Sequence, residues 1–252
     1  MTQPQPALAR PQPPAFKTYE EERLHRKQRL AAACRLFAKF GFEEGVMGHI
    51  SARDPELTDH YWANPFAYSF GTIKVSDLVL YNFKGEIVEG KTPYIHRGNT
   101  ILHIPILATR PDVISAVHTH SIYGRAWSTL NRKIDPISAE AAVFYGRHEL
   151  YDSFTLGEGQ NLADAVGNNR AIIMENHGIV TVGQSVDEAA YLFISLEKVC
   201  QVQLLAEAAG KPKIIASEHA ERISNGFTSH TGWLNFQPMY DGIVKEQPDL
   251  LE

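Results

Sequence analysis

The sequence predicts an α/β or α+β fold, with helices at both ends of the chain and strands between them. Helical spacing of apolar residues marks the two ends, and short apolar runs bounded by turn residues fill the middle. The chain has 252 residues, 44% of them hydrophobic, a length that suits one large domain about as well as two small ones. Because no internal repeat is visible, we expect one domain over residues 18–252, with residues 211–252 as a C-terminal extension.

The composition argues against several classes of function. The net charge is −5 and no long basic stretch is present, so we expect no nucleic-acid partner. The longest apolar runs are far shorter than a bilayer span, so we expect no membrane partner. Residues 1–17 are rich in proline where a signal peptide needs an apolar core, which predicts a disordered arm and a cytoplasmic protein. Cys34 and Cys200 lie among apolar neighbours in helical patterns and are predicted to be core residues.

The first helix is predicted to begin after Thr18 and to end at Gly41. Thr18 and Glu21 have the spacing of a capping box, and a glycine is a common residue after a helix. Its apolar positions recur at roughly helical spacing and predict packing on a sheet. These positions are Leu24, Leu30, Cys34, Phe37 and Phe40.

Short strands and one helix are predicted over the middle of the chain. Residues 49–53 form a strand candidate that Asp54 and Pro55 end, and residues 79–83 with 87–88 read as a hairpin. Residues 94–109 have a helical pattern in which Pro105 predicts a kink or a break. Residues 113–118 are a buried strand candidate.

Two further strands and a long helix follow. Residues 171–174 and 178–182 are apolar and flank a polar turn. Ser185 and Glu188 form a second capping box, which opens a helix through Ala209. Beyond it, Trp233 and Phe236 are predicted to pack back onto the domain or onto a neighbour.

Three histidines are the candidate metal ligands. His118 and His120 stand two residues apart at the end of an apolar strand, so their side chains point to the same side. His177 precedes Gly178 in the turn between two strands, where a glycine permits a tight turn. Three imidazoles with open coordination positions suit a catalytic metal, although an isolated buried histidine is more often a hydrogen-bonded core residue.

The segments Arg110-Pro111-Asp112, Val117-His118-Thr119-His120-Ser121 and Asn176-His177-Gly178 resemble, in this order, the class II aldolase/adducin family. The resemblance runs from about residue 18 to 210. It implies a single three-layer α/β domain with a central, mainly antiparallel sheet, and one divalent ion (Zn²⁺, Fe²⁺ or Mn²⁺) on His118, His120 and His177. It also implies a small-molecule substrate and a homo-oligomer, often a tetramer, in which a neighbouring subunit can complete the site.

The sequence departs from the sugar-phosphate aldolases of that family. Their acidic residue, 19 positions before the first metal histidine, is Asn99 here, and an amide cannot act as a general acid or base. The G-N-x-S motif is Gly48-His49-Ile50-Ser51, and the loop similar to T-P-S-G is Asn64-Pro65-Phe66-Ala67. These changes disfavour a phosphosugar and favour a more apolar or aromatic substrate.

Nine further residues are predicted to complete the site. His96, Asn99 and His103 share a helix face at spacings of three and four, and one of the two histidines can replace the missing acid. His103 is equally well explained as a core histidine, and Arg97 can bind a substrate carboxylate or remain an exposed helix residue. The catalytic candidates are His96, Asn99 and Tyr123, and the substrate-binding candidates are His49, Asn64, Phe66, Arg97, His103 and Tyr240.

Three functions follow from these residues and the resemblance. The first is a metal-dependent lyase that cleaves a carbon–carbon bond of a small hydroxy- or oxo-carbonyl compound, as an aldolase or decarboxylase does. The second is a non-haem Fe(II) oxygenase, similar to those of aminocoumarin pathways, that oxidatively cleaves aryl 2-oxo or hydroxy acids. The third is a non-catalytic interaction domain of the adducin type, which the three retained histidines disfavour.

Overall fold

The computed structural model describes residues 10–92, 94–152 and 162–252, and it contains one eight-stranded sheet. The strand order is β4-β3-β2-β1-β5-β8-β7-β6, and all neighbours are antiparallel except β6 and β7. The strands are β1 (His49–Arg53), β2 (His60–Ala63), β3 (Val79–Asn82), β4 (Ile87–Glu89), β5 (Ser115–Thr119), β6 (His148–Tyr151), β7 (Ala171–Met174) and β8 (Gly178–Gly183).

Helices cover both faces of the sheet, which gives the three predicted layers. One apolar core lies between the sheet and a layer that includes α1, α6 and α8, and a second lies between the opposite face and α2 with α5. The helices are α1 (Tyr19–Lys39), α2 (Arg97–Thr109), α3 (Ile122–Ser128), α4 (Ala139–Ala142), α5 (Leu162–Val166), α6 (Val186–Ala209), α7 (Ser217–Gly226) and α8 (Ser229–Glu246).

Most of the predicted elements are confirmed. The Thr18 hydroxyl accepts the Glu21 N–H at 3.2 Å and caps α1, and Ser185 caps α6 in the same way. Cys34 and Cys200 are buried, as predicted. The hairpin of β3 and β4 is present.

Several details of the sequence prediction were wrong. Leu24 and Phe40 are exposed near the two ends of α1, because this helix is buried only from Leu30 to Phe37. The helix predicted from residue 94 begins at Arg97, where the His96 side chain caps it, and Pro105 lies inside that helix without ending it. Strands β2 and β6 were not predicted.

The C-terminal extension completes the helical layer on one face of the sheet. Its helix α8 packs on α6 and α1, and Trp233 and Phe236 are buried there, as predicted. The α6 helix is long and apolar enough to cross a membrane, but most of it is buried inside the domain, as in the central helix of a globular protein. Residues 10–17 form no helix or strand, and the Pro11 carbonyl accepts a hydrogen bond from His230 of α8. The rest of the predicted disordered arm, residues 1–9, lies outside the described residues.

Asp54 joins α1 to the end of β1 and predicts a pH dependence of stability. Its carboxylate is fully buried and accepts hydrogen bonds from the Arg23 guanidinium, the Trp62 indole and two backbone N–H groups. Burial alone would raise the pKa of Asp54, but these donors outweigh it and lower the pKa from 3.8 to about 2.

A carboxyl group with a lowered pKa stabilises the fold above its unfolded pKa, and this contribution is lost as the pH falls from about 4 to about 2. The shift corresponds to about 2 kcal/mol of unfolding free energy. We expect Asp54→Asn to destabilise the protein above pH 4, and the difference from wild type to shrink towards pH 2. Denaturant unfolding at several pH values measures it, and a difference that stays constant with pH would contradict the assignment.

Candidate metal centre

The three predicted ligands lie together at one end of the central strands. His118 lies in β5 and His120 directly follows it, and their side chains point to the same side of the sheet. His177 lies in the turn that joins β7 to β8. Strand β8 pairs with β5, Thr119 opposite Ile179, so this turn is next to the end of β5. Gly178 has a φ of 153°, a backbone conformation that glycine adopts more readily than other residues, and this conformation forms the turn beside the His118 ring.

The spacing of the three imidazoles fits a single metal ion. One nitrogen from each ring can be chosen so that all three lie within 4.8 Å of one another. The Nε2 atoms of His120 and His177 are 3.1 Å apart. Two ligands of a tetrahedral ion, each bonded at about 2.1 Å, would be about 3.4 Å apart. The observed separation is close to that of two nitrogens sharing one ion.

Hydrogen bonding and burial favour the ligating form of these rings. His118 Nδ1 donates to the Ile179 carbonyl at 2.9 Å, which leaves Nε2 with its lone pair for a metal. Burial, the largest cause for each ring, lowers the pKa of His118, His120 and His177 and so favours neutral imidazoles. His118 is buried, while His120 and His177 are half-buried and open to a substrate.

Glu197 of α6 holds the chain that follows the H-x-H pair. Its buried carboxylate accepts hydrogen bonds from the Ser121 hydroxyl at 2.6 Å and from the N–H groups of Tyr123 at 2.7 Å and Gly124 at 2.6 Å. These groups form the N-terminal turn of α3, where a negative charge is favourable. Sequence reasoning missed this residue, although a glutamate between the apolar residues of a core helix was a usable signal.

Further histidines lie beside the three ligands. His49 of β1 is opposite His118 of β5, and their ring centroids are 5.1 Å apart. His49 Nδ1 is 2.8 Å from His103 Nε2, and His103 Nδ1 is 2.7 Å from the Ser51 hydroxyl. All three of these residues are buried.

His96, a predicted proton carrier, has both ring nitrogens bonded to the backbone. Its Nε2 donates to the Val46 carbonyl at 3.2 Å, and its Nδ1 accepts the Asn99 N–H at 3.3 Å, so it acts as the N-cap of α2. The ring is 5.0 Å from that of His49. Phe66 meets it edge-on at 5.0 Å between ring centroids.

Asn99, at the position of the family's acid, lies in the first turn of α2. The residue is fully buried, and neither its amide nitrogen nor its amide oxygen has a hydrogen-bond partner among the described residues. An amide at this position carries no charge and cannot take up a proton. The described residues therefore place no carboxylate where the sugar-phosphate aldolases are expected to have one.

The four remaining predicted residues, Asn64, Arg97, Tyr123 and Tyr240, lie in different surroundings. Asn64 is buried, and its amide oxygen accepts the Ile50 N–H at 3.0 Å, so it holds the backbone of β1. Arg97 is exposed at the start of α2, and Tyr123 packs partly against the core. Tyr240 is not brought to the histidines within one chain, because its ring lies over the Arg29 guanidinium, 3.4 Å from the ring centroid.

Gly98 keeps the space beside His49 and His96 open. A Cβ at this position would lie 3.0 Å from His49 Nε2 and 3.2 Å from the His96 ring. We expect Gly98→Ala to lower kcat/KM by about tenfold, because the added methyl group must push the His49 ring aside by a few tenths of an ångström, and a displacement of about 1 Å costs about 100-fold. Alanine favours a helix over glycine, and the crowding of the buried rings offsets that gain, so we expect a melting temperature close to that of wild type.

Gly242→Ala in α8 is the matched control, because nothing lies within 4 Å of a Cβ there. Turnover, metal content and melting temperature are measured for both variants. Unchanged activity in Gly98→Ala would show that the space beside His49 plays no part in turnover.

The comparisons with known proteins agree with this architecture. The sequence profile of the class II aldolase and adducin N-terminal domain matches residues 28–204. The chain is 41% identical over 247 residues to decarboxylase NovR of Streptomyces niveus, covering 95% of this chain and 91% of that protein. It is 39% identical over 246 residues to the 4-hydroxy-3-prenylphenylpyruvate oxygenase/4-hydroxy-3-prenylbenzoate synthase of Streptomyces roseochromogenus subsp. oscitans, covering 94% of this chain and 88% of that protein.

A solved structure has the same fold over nearly the whole chain. The L-fuculose 1-phosphate aldolase from Glaciozyma antarctica PI12 superposes with a TM-score of 0.88 at 38% identity, covering 96% of this chain and 97% of that one. The predicted three-layer fold is therefore confirmed, including its mainly antiparallel sheet.

Proposed function

The chain belongs to the class II aldolase and adducin N-terminal domain family, and from that premise we propose that it is a metal-dependent lyase acting on a small aromatic acid. It would cleave the carbon–carbon bond beside the carboxyl or carbonyl group of a 2-hydroxy or 2-oxo acid. The observation that carries the proposal is the set of three imidazoles, His118, His120 and His177, brought within reach of one ion in a site without the aldolase acid. The name of the NovR relative, a decarboxylase, supports the same reaction class.

The three histidines would hold one divalent ion. When bound, such an ion supplies Lewis-acid chemistry, polarising a substrate oxygen and stabilising negative charge as the carbon–carbon bond breaks. Glu197 keeps the turn after His120 in place through its bonds to the N-terminal turn of α3. The Ile179 carbonyl fixes the ring orientation of His118.

The missing acid favours decarboxylation over aldol cleavage. Retro-aldol cleavage begins with removal of a hydroxyl proton by a base, and Asn99 cannot take up a proton. Decarboxylation needs no such base: CO₂ leaves, the electron pair of the broken bond stays on carbon 2, and a proton from solvent replaces the carboxyl group, so that a 2-oxo acid gives an aldehyde and a 2-hydroxy acid an alcohol. Two acidic side chains near the site already have partners, since Glu197 accepts three hydrogen bonds and Glu44 pairs with Arg125.

The side chains around the site support an aromatic acid as substrate. Phe66 stands edge-on to Tyr94 and to His96, in the loop where the sugar-phosphate aldolases have small residues. Exposed apolar side chains, Val46 and Tyr94 among them, continue this wall. Arg97 is exposed next to His96, and its guanidinium has no ion-pair partner among the described residues, so it would be available to a substrate carboxylate. We also propose a cytoplasmic homotetramer, in which a neighbouring chain would cover this apolar edge.

A non-haem Fe(II) oxygenase is the second candidate. The relative at 39% identity is named an oxygenase and a benzoate synthase, and it matches 94% of this chain. Under this alternative, dioxygen would be a co-substrate of the same carbon–carbon cleavage. The two candidates differ in their need for iron and for oxygen.

The test is a substrate assay with protein reconstituted in turn with Zn²⁺, Mn²⁺ and Fe²⁺. Phenylpyruvate, 4-hydroxyphenylpyruvate and their 2-hydroxy acids are incubated with and without oxygen, and CO₂ and organic products are measured. Metal-dependent CO₂ release without oxygen is the expected result. Cleavage that needs both iron and oxygen would favour the oxygenase. Turnover of L-fuculose 1-phosphate with no turnover of any aromatic acid would contradict both candidates.

A further inference from the structure

A chain of three hydrogen-bonded side chains, Ser51, His103 and His49, leads from the interior of the sheet to the metal centre. The Ser51 hydroxyl is 2.7 Å from His103 Nδ1, and His103 Nε2 is 2.8 Å from His49 Nδ1. Ser51 and His103 are fully buried, and His49 nearly so. In the family's G-N-x-S motif, asparagine stands at the position of His49. The three hydrogen-bonded side chains are not metal ligands, and the proposed reaction does not yet account for them.

Both rings are buried, and no acidic side chain among the described residues is hydrogen-bonded to either of them, so each ring carries a single proton. Each neutral ring donates from one nitrogen and accepts with the other. The direction of one hydrogen bond in the chain therefore determines the direction of the next.

One direction satisfies more of the buried groups than the other. If His49 Nδ1 donates to His103, then His103 donates to Ser51, and the Ser51 hydroxyl donates to the Ala116 carbonyl at 3.4 Å. In the reverse direction the Ser51 hydroxyl donates to His103, and His103 donates to His49. The proton of His49 then lies on Nε2, which has no hydrogen-bond acceptor among the described residues. The first direction makes one more hydrogen bond and is favoured.

In the favoured direction, Nε2 of His49 carries a lone pair. This nitrogen faces the space above Gly98, where a Cβ would lie only 3.0 Å from it. The rings of His96 and His118 lie at 5.0 Å and 5.1 Å from the His49 ring on either side. A substrate group reaching this space from the metal centre would meet an acceptor and no competing donor from His96, whose Nε2 is bonded to Val46.

We propose that Ser51 and His103 hold His49 in the tautomer with its proton on Nδ1, and that His49 Nε2 accepts a hydrogen bond from a substrate hydroxyl. The hydroxyl would be that of a 2-hydroxy acid or of the enol form of a 2-oxo acid, so the inference rests on the proposed function. His49 is then a specificity residue, and Ser51 and His103 are positioning residues that act through it.

The tautomer is tested first, without substrate. Long-range ¹H–¹⁵N correlation spectra of zinc-loaded protein distinguish the two imidazole nitrogens, and the His49→Phe spectrum assigns the His49 signals. We expect a protonated Nδ1 and an unprotonated Nε2 on His49, and a disturbed pattern in Ser51→Ala. Ser115→Ala is the matched control, because Ser115 is buried on β5 and its hydroxyl has no partner among the described residues. A proton on His49 Nε2 would overturn the tautomer assignment.

The hydroxyl contact is tested by a double-mutant cycle in binding. Calorimetry compares 2-hydroxy-3-phenylpropanoate with 3-phenylpropanoate, on zinc-loaded wild type and on His49→Phe with its zinc content verified. We expect the hydroxyl to improve the dissociation constant about tenfold more in wild type than in His49→Phe, the value of one hydrogen bond to a buried partner.

Ser51→Ala should lose part of this gain, and Ser115→Ala none. A difference of less than twofold between wild type and His49→Phe would overturn the hydroxyl contact. If wild type binds neither acid while His49 has the expected tautomer, the proposed aromatic acid substrate is wrong and the tautomer assignment stands.

Discussion

Replacing His118 by alanine is expected to lower the rate of substrate cleavage by about 1,000-fold or more, even with excess metal ion present. His118 is the most deeply buried of the three candidate ligands, and its Nε2 is directed by the bond from Nδ1 to the Ile179 carbonyl. Losing one of three protein ligands removes several kcal/mol of electrostatic stabilisation, and each 1.36 kcal/mol changes the rate tenfold. Initial rates at saturating substrate, measured over a series of metal concentrations, give the effect.

His148→Ala is the matched control for this substitution. His148 is equally buried, but its nitrogens bond only to the backbone of Phe144 and Ile134, away from the metal centre. It should lower stability while the remaining folded protein keeps its activity and its metal. Equal losses of activity in the two variants would indicate a folding defect and would remove the support for a ligand role.

Replacing Glu197 by glutamine is expected to destabilise the protein by about 3 kcal/mol and to weaken metal binding about tenfold. The glutamine amide keeps one acceptor oxygen. Its N–H₂ group, itself a donor, would face hydroxyl or N–H donors that bond to the carboxylate in wild type. Buried charge-assisted hydrogen bonds contribute about 1.5–3 kcal/mol each, and loss of a group that supports a metal ligand costs about 10- to 100-fold in affinity. Thermal unfolding should show a melting temperature lower by about 10 °C.

Glu207→Gln, on the same helix, is the control for the Glu197 substitution. Glu207 lies near the surface and pairs with Arg132, an interaction of small energetic value. Its melting temperature and metal affinity should stay close to those of wild type. If Glu197→Gln behaves like Glu207→Gln, the turn after His120 is held by other contacts.

The parts of the fold with strong local signals were predictable from the sequence. The caps at Thr18 and Ser185 and the apolar runs of β5, β7 and β8 are properties of short segments, and the structure confirms them. Strand β6 was missed because its register is set by the parallel partner β7, which is distant along the chain. The order of strands in the sheet also depends on such long-range pairing.

The site was predictable to a lesser extent, for a related reason. The grouping of His118, His120 and His177 followed from alternation along a strand, from a turn glycine and from the resemblance to the class II aldolase/adducin family, and the structure places the three together. The role of Glu197 depends on α6 lying over the N-terminus of α3, and the bond from His49 to His103 depends on α2 lying over β1. Spacing within one element cannot predict contacts between elements.

Metal analysis of the protein, purified without oxygen and without chelators, tests whether His118, His120 and His177 hold an ion. We expect about one divalent ion per chain in wild type, and almost none in His118→Ala and His177→Ala. The identity of the ion then directs the choice between lyase and oxygenase, with iron favouring the second. A wild-type protein that contains no metal and takes none up on reconstitution, or variants that keep one ion per chain, would show that these histidines are not metal ligands.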